Sequence, residues 1–384
     1  MQSLGVIDIG GTTIKFAVWQ DQQLVAKTKV TTPTTLAEFY TLLTTQVEQM
    51  KRDYQIAGVG ISSPGAVNKA TGIIEGASAL PYIHNFRIQS ELQRRFELPV
   101  SMENDANCAA LAELADGAGK QVASLCFLIV GTGVGGSVIV NHQIWHGAHL
   151  FGGEFGFTLM NDHQILSEVG TAVAVAKRYN ASHPAQPELD GQAVFELAAK
   201  GDTDAQAEVQ VMVRALARAI YNLQYSFDPE LIVMGGAVSN NPHLLPAINA
   251  EIEKLRATVK IASIKPDVVA CHFTDEANLR QAVFELAAKG DTDAQAEVQV
   301  MVRALARAIY NLQYSFDPEL IVMGGAVSNN PHLLPAINAE IEKLRATVKI
   351  ASIKPDVVAC HFTDEANLRG AVVDFCQTYL DIQK

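Results

Sequence analysis

The sequence predicts an α/β fold built as two similar lobes with a cleft between them. A strand, a glycine-containing turn and a second strand open each half, near residues 4–20 and 124–140. Helical and strand-like segments then alternate in both halves, which is the pattern of a layered α/β protein. The length of 384 residues also suits two domains.

Composition excludes several classes of protein. Hydrophobic residues make up 48% of the chain and charged residues 18%, which indicates well-filled cores rather than disorder. The net charge is −12 and no basic run occurs, so nucleic acid and anionic membranes are not expected as partners. No signal-type leader and no membrane-spanning apolar run is visible. The five cysteines form no CxxC pair, which predicts neither a disulfide framework nor a zinc knuckle and fits a cytoplasmic protein.

The first lobe is assigned to residues 1–117. Three short strands are predicted within residues 4–30, with turns at residues 10–11 and 21–23. Apolar spacing predicts a helix over residues 36–54, and a buried strand within residues 56–67 ends in a Pro-Gly turn. A helix near residues 88–97, a strand at 98–102 and an alanine-rich helix from residue 108 to 114 complete the lobe. The boundary is predicted at residues 117–119, Gly-Ala-Gly.

The second lobe is assigned to residues 118–384. Strands at residues 124–130 and 137–140 flank a turn at 131–136. A long amphipathic helix is predicted over residues 204–227, then a strand at 229–234, a helix over 241–255 and a strand at 265–273. Residues 370–384 are predicted to form a terminal helix that could pack back on the first lobe.

An internal repeat lies inside the second lobe. Residues 192–280 (copy one) recur identically as residues 281–369 (copy two), a period of 89 residues. Two identical copies indicate a tandem duplication, either recent or engineered, or an error, rather than a solenoid. Without one copy the chain would have 295 residues, and that shorter chain is the one on which the fold is interpreted.

The segment DIGGTTIK, residues 8–15, is the first candidate phosphate site. Gly10 and Gly11 allow a tight turn that exposes backbone amides, and Thr12 and Thr13 add hydroxyl groups. Asp8, at the end of the strand, could hold a hydrated Mg²⁺ ion. A plain glycine hairpin explains the same residues equally well.

GTGVGG, residues 131–136, is the corresponding segment of the second lobe. A strand rather than a helix follows it, which argues against a Rossmann dinucleotide site. A second phosphate turn fits the sequence better.

Carboxylates supply the candidate catalytic groups. In ENDAN, residues 103–107, Asp105 could act as general base in phosphoryl transfer to an alcohol, and Asn104 could bond a sugar hydroxyl. An ordinary Asn/Asp helix cap is the alternative. Glu154 in GGEFGF and Glu168 in LSEVG could accept hydrogen bonds from a polyol, although a single Glu is more often a solvated loop residue.

Taken together, these motifs resemble the ROK family (repressors, ORFs, kinases) of sugar kinases. DIGGTTIK, ISSPGAV, ENDANCAALAE, GTGVGG, GGEFG and DPELIVMGGAVS occur in the order found in that family, over essentially the whole 295-residue chain. The resemblance implies a two-lobe actin-like ATPase fold, of the ribonuclease H-like and hexokinase-like kind, with a duplicated C-terminal segment. It also implies ATP and Mg²⁺ as cofactors and a homodimer.

The resemblance also assigns residues to the site. Residues 10–13 would form the first phosphate turn, with Asp8 and Lys15 in the same motif, and Gly131, Thr132 and Gly133 the second. Asn104, Glu154 and Glu168 would bind the hexose, Gly65 would lie close to it, and Asp105 would be the base. The LIVMGG segment would flank adenosine, through Gly235 and Gly236 or through Gly324 and Gly325 of copy two.

Two departures from the family pattern change which metal site and which substrate are expected. Many members have a zinc-binding His after GE-x-G and a downstream cysteine cluster, whereas this chain has Phe157 and no cysteine in that segment, so no zinc site is predicted. An aromatic residue after GEFG resembles the β-glucoside kinase branch. Glucose is the alternative substrate, and N-acetylmannosamine a weaker one.

The sequence therefore predicts an ATP-dependent kinase for the 6-hydroxyl group of a hexose or β-glucoside. A DNA-binding repressor is disfavoured, because only seven residues precede the phosphate turn and a helix-turn-helix domain does not fit there. A non-catalytic sugar sensor would predict a broken turn or a lost base, and both are intact. One active site is expected, completed by copy one, with copy two left as a partly folded appendage.

Overall fold

The computed structural model describes residues 3–21, 23–236, 241–259, 268–270, 292–323, 333–347 and 357–359. The chain divides into two compact units, unit 1 at Met1–Gln121 and unit 2 at Val122–Lys384. The division falls just after the Gly-Ala-Gly segment at which the sequence places the lobe boundary. The predicted helix at 370–384 and the glycines Gly324 and Gly325 lie outside the described residues.

Unit 1 is a five-stranded sheet covered by helices. Its strands are β1 (Leu4–Ile9), β2 (Thr13–Gln20), β3 (Gln23–Thr31), β4 (Val59–Ser63) and β7 (Val100–Asn104), with a separate hairpin of β5 (Ala66–Asn68) and β6 (Ile73–Glu75). Its helices are α1 (Leu36–Tyr54), α2 (Ile88–Phe96) and α3 (Asp105–Asp116), with a 3-10 turn at Pro81–Ile83. The predicted strands and helices of this lobe are confirmed, and α3 begins at Asp105 rather than at residue 108.

Sequence patterns explain why these segments fold as they do. In α1, Thr35 caps the first turn by accepting the Glu38 N–H at 3.3 Å, and Phe39, Leu43 and Val47 form the buried stripe. In β1, Ile7 and Ile9 are buried while the intervening Asp8 lies on the other face. One core of apolar residues therefore lies between the sheet and its helices.

Unit 2 contains a second five-stranded sheet. Its strands are β8 (Leu125–Val130), β9 (Val134–Val140), β10 (Gln143–Ile144), β11 (Leu231–Gly235) and β12 (Val268–Ala270). Its helices before copy two are α4 (Leu166–Val169), α5 (Ala172–Ser182), α6 (Gly191–Ala199), α7 (Thr203–Phe227) and α8 (Leu244–Ala257), with a 3-10 turn at Phe155–Phe157. Helices α4 and α5 were not predicted from the sequence. The turn predicted at residues 131–136 is shorter in the structure, because residues 134–136 already belong to β9.

The two sheets have the same strand order. In unit 1 the order is β3-β2-β1-β4-β7, and in unit 2 it is β10-β9-β8-β11-β12. In each sheet the first three strands in sequence are antiparallel and the next two join in parallel. The turn at residues 10–12 and the turn at 131–133 therefore occupy equivalent places, each between the first and second strands. The prediction of two similar lobes is confirmed.

The two copies of the repeat have different surroundings. In copy one, β11 pairs in parallel with β8 and β12 and so joins the sheet, as the sequence interpretation expected. In copy two, β13 (Ile321–Met323) and β14 (Val357–Ala359) form a two-stranded sheet within the described residues, and α9 (Thr292–Phe316) and α10 (Leu333–Thr347) are the helices of this copy.

The expectation of a loosely attached copy two is wrong for α9 and α10. Ile309, Tyr310, Tyr314 and Ile337 are almost fully buried, in a cluster that also includes Leu159 of the main body of unit 2. Helix α9 therefore packs on the segment that precedes α4. No helix in the described part of the chain is long and apolar enough to cross a bilayer.

Candidate active site

The turn between β1 and β2 is shaped for a close backbone approach. The Gly10 N–H donates to the Thr13 carbonyl oxygen at 3.1 Å, which closes the turn. A Cβ on Gly10 would lie 2.7 Å from that oxygen, and a Cβ on Gly11 would lie 2.8 Å from the Ala79 Cβ. Gly11 and Thr12 are exposed, so an anion can reach the turn.

Asp8 has polar partners on the two strands beside its own. Lys15 donates to Asp8 Oδ2 at 2.7 Å, and Ser62 donates to Oδ1 at 3.0 Å. Both partners stand directly opposite Asp8 in the strand register. The Asp8 carboxylate suits a hydrated Mg²⁺ ion, because a hard cation prefers carboxylate oxygen, and a bound cation would compete with Lys15 for Oδ2. Ser62 was not identified from the sequence, although it lies in the ISSPG segment.

Asn104 and Asp105 stand where β7 runs into α3. Asn104 Oδ1 accepts the N–H groups of Ala106 at 2.9 Å and Asn107 at 3.2 Å, so it is the N-cap of α3. Its amide Nδ2 donates to the Gly65 carbonyl oxygen at 3.1 Å. The helix-cap alternative is therefore correct for Asn104, and the cap also ties the Gly65 loop to the start of α3.

Asp105 is the first residue of α3, and its Oδ1 accepts the Ala106 N–H at 2.9 Å. Although the residue is exposed, the surrounding protein partly desolvates its carboxyl group and raises its pKa. The Ala106 N–H lowers the pKa, and the nearby Asp8 carboxylate raises it further. A carboxylate with a raised pKa is a stronger base than an ordinary aspartate, which is what a proton acceptor requires.

Cys108 lies on the same helix but is not a candidate nucleophile. Burial and the neighbouring Glu103 carboxylate raise the pKa of its thiol to about 12, so it stays protonated at neutral pH. Glu103 is itself buried, and Lys69 binds its Oε2 at 2.9 Å. These side chains support the start of α3.

Gly65 lies in a loop that allows no side chain. Its φ is +93°, and a Cβ would lie 2.7 Å from His84 Cε1 and 2.8 Å from Ile74 Cγ2. His84 is held by Ser78 Oγ at 2.7 Å and by the Glu75 carbonyl oxygen at 3.3 Å from Nδ1. Because Nδ1 faces a carbonyl oxygen, it carries the proton, and Nε2 accepts from Ser78. His84 was not singled out from the sequence, because a lone His in PYIHNF carries no motif.

The turn after β8 is the counterpart of the first turn. Gly131, Thr132 and Gly133 are exposed, and the Gly131 N–H donates to the Gly133 carbonyl oxygen at 2.9 Å. Ser167, on α4, accepts the Val134 N–H at 3.0 Å, and its Oγ would lie 3.4 Å from a Cβ on Gly133. Ser167 therefore joins this turn to α4, a link that the sequence analysis missed.

The two candidate sugar-binding glutamates are placed by adjoining segments. Glu154 begins the 3-10 turn at 155–157, and Glu168 lies on α4. Glu168 Oε2 accepts the Ile165 N–H at 3.1 Å, so it closes the start of α4 in addition to any ligand role. The Leu166 N–H donates to the Thr158 carbonyl oxygen at 2.8 Å, which holds α4 against the segment that carries Glu154.

Gly235 ends β11, and Gly236 follows it with φ +90°, at the edge assigned to adenosine. Phe157, the aromatic residue that follows GEFG, is half-buried and packs against Tyr314 with ring centroids 5.8 Å apart. Among the described residues, no group of three or more His, Cys, Asp or Glu side chains could hold a metal ion. The absence of a zinc site stays a prediction.

Curated proteins of similar sequence include several named sugar kinases. A β-glucoside kinase of Klebsiella pneumoniae is 30% identical over 259 residues, covering 65% of this chain and 86% of that protein. A β-glucoside kinase of Listeria monocytogenes is 28% identical over 67% of this chain and 90% of its own length. A glucokinase of Halalkalibacterium halodurans is 30% identical, and the match covers 61% of this chain and 79% of that protein.

Solved structures of similar fold agree with these relatives. A ROK family protein of Streptococcus pneumoniae, solved in complex with sucrose, is 34% identical with a TM-score of 0.65, covering 71% of this chain and 93% of that one. The ROK hexokinase of Thermus thermophilus is 26% identical with a TM-score of 0.61, and the match covers 71% of this chain and 93% of the hexokinase chain. The fold is therefore the actin-like ATPase fold that the sequence predicts.

The model of the ROK family matches residues 4–283 and again residues 274–377, so that the second match falls mainly on copy two. The motifs, the paired sheets and the similarity to these proteins agree, and the chain belongs to the ROK family.

Proposed function

We propose that this chain is an ATP-dependent sugar kinase that phosphorylates the 6-hydroxyl group of a hexose or β-glucoside, with Asp105 as general base. The observation that carries the proposal is the position of Asp105. It follows a strand directly, begins a helix, lies near Asp8 and has a raised carboxyl pKa. The named sugar kinases among the curated relatives support the kinase class.

The proposed chemistry assigns one task to each group of residues. ATP bound with Mg²⁺ supplies the transferable phosphoryl group. The exposed turn residues Gly11 and Thr12 bind phosphate oxygens, and Asp8 orients the cation. Asp105 accepts the proton of the sugar hydroxyl as that oxygen attacks phosphorus, and ADP leaves.

Sugar recognition is assigned to Asn104, Glu154 and Glu168, with the Gly65 backbone alongside. Carboxylate and amide oxygens accept hydrogen bonds, and sugar hydroxyls donate them. We favour a β-glucoside over free glucose, because two of the relatives described above are named β-glucoside kinases and Phe157 offers an apolar ring for a second group on the sugar. The proposal also includes association of this chain into a homodimer.

ADP release with Mg²⁺-ATP tests the activity. The sugar panel contains a β-glucoside, cellobiose, glucose, fructose, mannose and N-acetylmannosamine. We expect turnover with the wild-type chain, and Asp105→Asn to lower kcat by about 10²–10⁴-fold, the usual contribution of a general base. Sugar binding measured by calorimetry should persist in that variant.

Asp53→Asn is the matched control, since Asp53 is an exposed carboxylate in the last turn of α1 in the same unit. It should leave kcat unchanged. Retention of more than a few per cent of activity by Asp105→Asn would rule out its role as base. Sugar binding by the wild type without any ADP release would favour a non-catalytic sugar-binding protein instead.

A further inference from the structure

Polar side chains form a row across four strands of the unit 1 sheet. In the strand register, Glu103 on β7 is opposite Ser62 on β4, and Ser62 is opposite Asp8 on β1. Lys15 on β2 extends the row on the far side of Asp8. Residues opposite one another point to the same face of a sheet, so these side chains share one face. Helix α3 packs on this face, because the Asn107 amide donates to Glu103 Oε1 at 3.1 Å.

Glu103 is a buried carboxylate whose bonds surround the first residue of α3. Its Oε1 accepts the Asn104 N–H at 2.8 Å as well as the Asn107 amide, and its Oε2 binds the Lys69 ammonium group at 2.9 Å. Asn104 directly precedes Asp105, and Asn107 follows it by two residues. The Glu103 side chain is only 7% exposed, so these charge-assisted bonds form away from water and are strong. They fix the chain on both sides of Asp105.

Capping of α3 does not explain this buried carboxylate. Asn104 Oδ1 accepts the N–H groups of Ala106 and Asn107, which caps the helix without Glu103. Burying a charge has a desolvation cost, and a buried ion pair by itself adds little to stability. Such a pair can instead select one arrangement among several, and the arrangement that Glu103 selects is that of the first turn of α3.

Lys69 belongs to a different segment, the turn of the β5–β6 hairpin. It follows β5 directly, and Asn68 closes the turn by accepting the N–H groups of Ala70 at 3.1 Å and Thr71 at 3.2 Å on its Oδ1. Asn68 Nδ2 also donates to Glu75 Oε1 at 2.7 Å across the hairpin. The backbone that carries Lys69 is thus held in place, and its ammonium group joins the tip of the hairpin to the buried carboxylate.

The hairpin is therefore attached to the start of α3 at two points. Gly65, which immediately precedes β5, accepts a hydrogen bond from Asn104 Nδ2 at 3.1 Å. Lys69, at the other end of β5, binds Glu103. Two separated attachments restrain rotation as well as translation, so a displacement of the Gly65 loop is carried to the turn in which Asp105 stands.

We propose that Glu103 and Lys69 are positioning residues for Asp105. The pair sets the direction of the Asp105 carboxylate, and through the β5–β6 hairpin it carries the effect of a sugar at the Gly65 loop to that carboxylate. The claim about catalysis rests on the proposed function, whereas the mechanical link between the hairpin and α3 does not.

Lys69→Met in the full chain removes the ammonium group and keeps an unbranched side chain. Because a small misplacement of a reacting group can cost about 10²-fold in rate, we expect kcat to fall by about 10-fold or more, with an unchanged KM for ATP. Lys69→Arg keeps the positive charge and should retain most of the wild-type kcat. Lys51→Met is the matched control, since it breaks another Lys–Glu ion pair of unit 1, with Glu48 at 2.6 Å on α1, and should leave kcat unchanged.

Glu103→Gln tests the other half of the pair. Its amide oxygen can still accept the Asn104 N–H, but its NH2 group would face the Lys69 ammonium group, so the link to the hairpin is lost. We expect a loss in kcat similar to that of Lys69→Met. The double variant should lose no more than the larger of the two single losses, because residues that act as one unit are not additive.

The thiol of Cys108 reports on the same turn without turnover. Its Sγ lies 3.8 Å from the Glu103 carbonyl oxygen, and its raised pKa of about 12 keeps it unreactive in place, so an alkylating reagent labels it when the turn opens. Mass spectrometry of the peptide that contains Cys108 gives the labelling rate. We expect faster labelling in Lys69→Met than in wild type or Lys51→Met. The sugar that binds most tightly by calorimetry should slow labelling of the wild type more than that of Lys69→Met.

Several results would overturn the inference. Wild-type turnover together with an unchanged kcat in Lys69→Met would exclude the positioning role, and so would a loss in Lys69→Arg as large as that in Lys69→Met. Losses that multiply in the double variant would show that the two residues act independently. Unchanged labelling of Cys108 in Lys69→Met would exclude the link between the hairpin and α3. Equal slowing by sugar in the wild type and Lys69→Met would show that the effect of sugar does not pass through the pair.

Failure of the proposed function would be seen separately. A wild-type chain that phosphorylates no sugar of the panel would contradict the kinase proposal. The labelling rates of wild type, Lys69→Met and Lys51→Met would still decide whether the hairpin holds the start of α3.

Discussion

Gly65→Ala is expected to destabilise unit 1 through two separable effects. The left-handed backbone, with φ at +93°, costs an alanine about 1–2 kcal/mol. The new Cβ would also lie 2.7 Å from His84 Cε1 and 2.8 Å from Ile74 Cγ2, and such overpacking costs about 1–3 kcal/mol. The expected loss of unfolding free energy is therefore about 2–5 kcal/mol.

Gly76→Ala is the matched control for the backbone effect. Gly76 also has a positive φ, +75°, but a Cβ there would meet nothing within 4 Å. Its expected cost is about 1–2 kcal/mol, so the difference between the two variants isolates the steric effect. Adding His84→Ala to Gly65→Ala removes one of the two close contacts and should recover part of the loss.

Thermal unfolding followed by Trp19 emission in a Trp145→Phe background reports on unit 1. With about 4 °C of Tm for each kcal/mol in a domain of this size, we expect decreases of about 8–20 °C for Gly65→Ala and about 4–8 °C for Gly76→Ala. Equal decreases in the two variants would refute the steric argument. Full stability of both would refute the backbone argument as well.

Three further predictions concern the site. Asn104→Ala should lower the free energy of unfolding by about 1 kcal/mol, because the α3 cap is lost. It should also raise the KM for sugar more than the KM for ATP, both measured by ADP release. An unchanged KM for sugar would contradict the link through Gly65. The kinase rate should fall as the pH is lowered, with an apparent pKa above that of a free aspartate, because Asp105 has a raised pKa and must be deprotonated to accept a proton. An apparent pKa at or below that of an ordinary aspartate would contradict this cause. Gly156→Ala would place a Cβ against the Val134 carbonyl oxygen and near Ser167 Oγ. It should therefore lower the Tm and weaken sugar binding measured by calorimetry. Unchanged sugar binding would show that the segment carrying Glu154 tolerates the displacement that the new Cβ causes.

The two lobes could be predicted from the sequence, because the strands and helices of each lobe depend on local residue patterns. Alternating apolar residues set β1, and the stripe of Phe39, Leu43 and Val47 set α1. Both glycine turns were found because a turn between antiparallel strands is a local event. The short helix α4 was missed because four residues carry too little periodicity to be recognised.

Contacts between distant segments could not be predicted. Ser62 reaches Asp8 because β4 pairs with β1, and the sequence does not state that pairing. The same holds for Ser167 and Val134, which are joined only after α4 packs beside β9. The location of copy two was missed for a related reason. Two identical sequences give no indication that the second will be buried through Tyr310 and Tyr314, with β13 paired to β14 in a separate two-stranded sheet.

The duplicated helix also gives the chain an internal reference for measuring local opening. Helices α7 and α9 have the same 25-residue sequence, so a peptide cut from either has one mass and the same intrinsic amide exchange chemistry. In deuterium exchange, that single peptide should give two isotopic envelopes, one from α7 beside the five-stranded sheet and one from α9, which packs against residues 145–159. Their separation in time would report only the difference in surroundings, with every effect of composition cancelled.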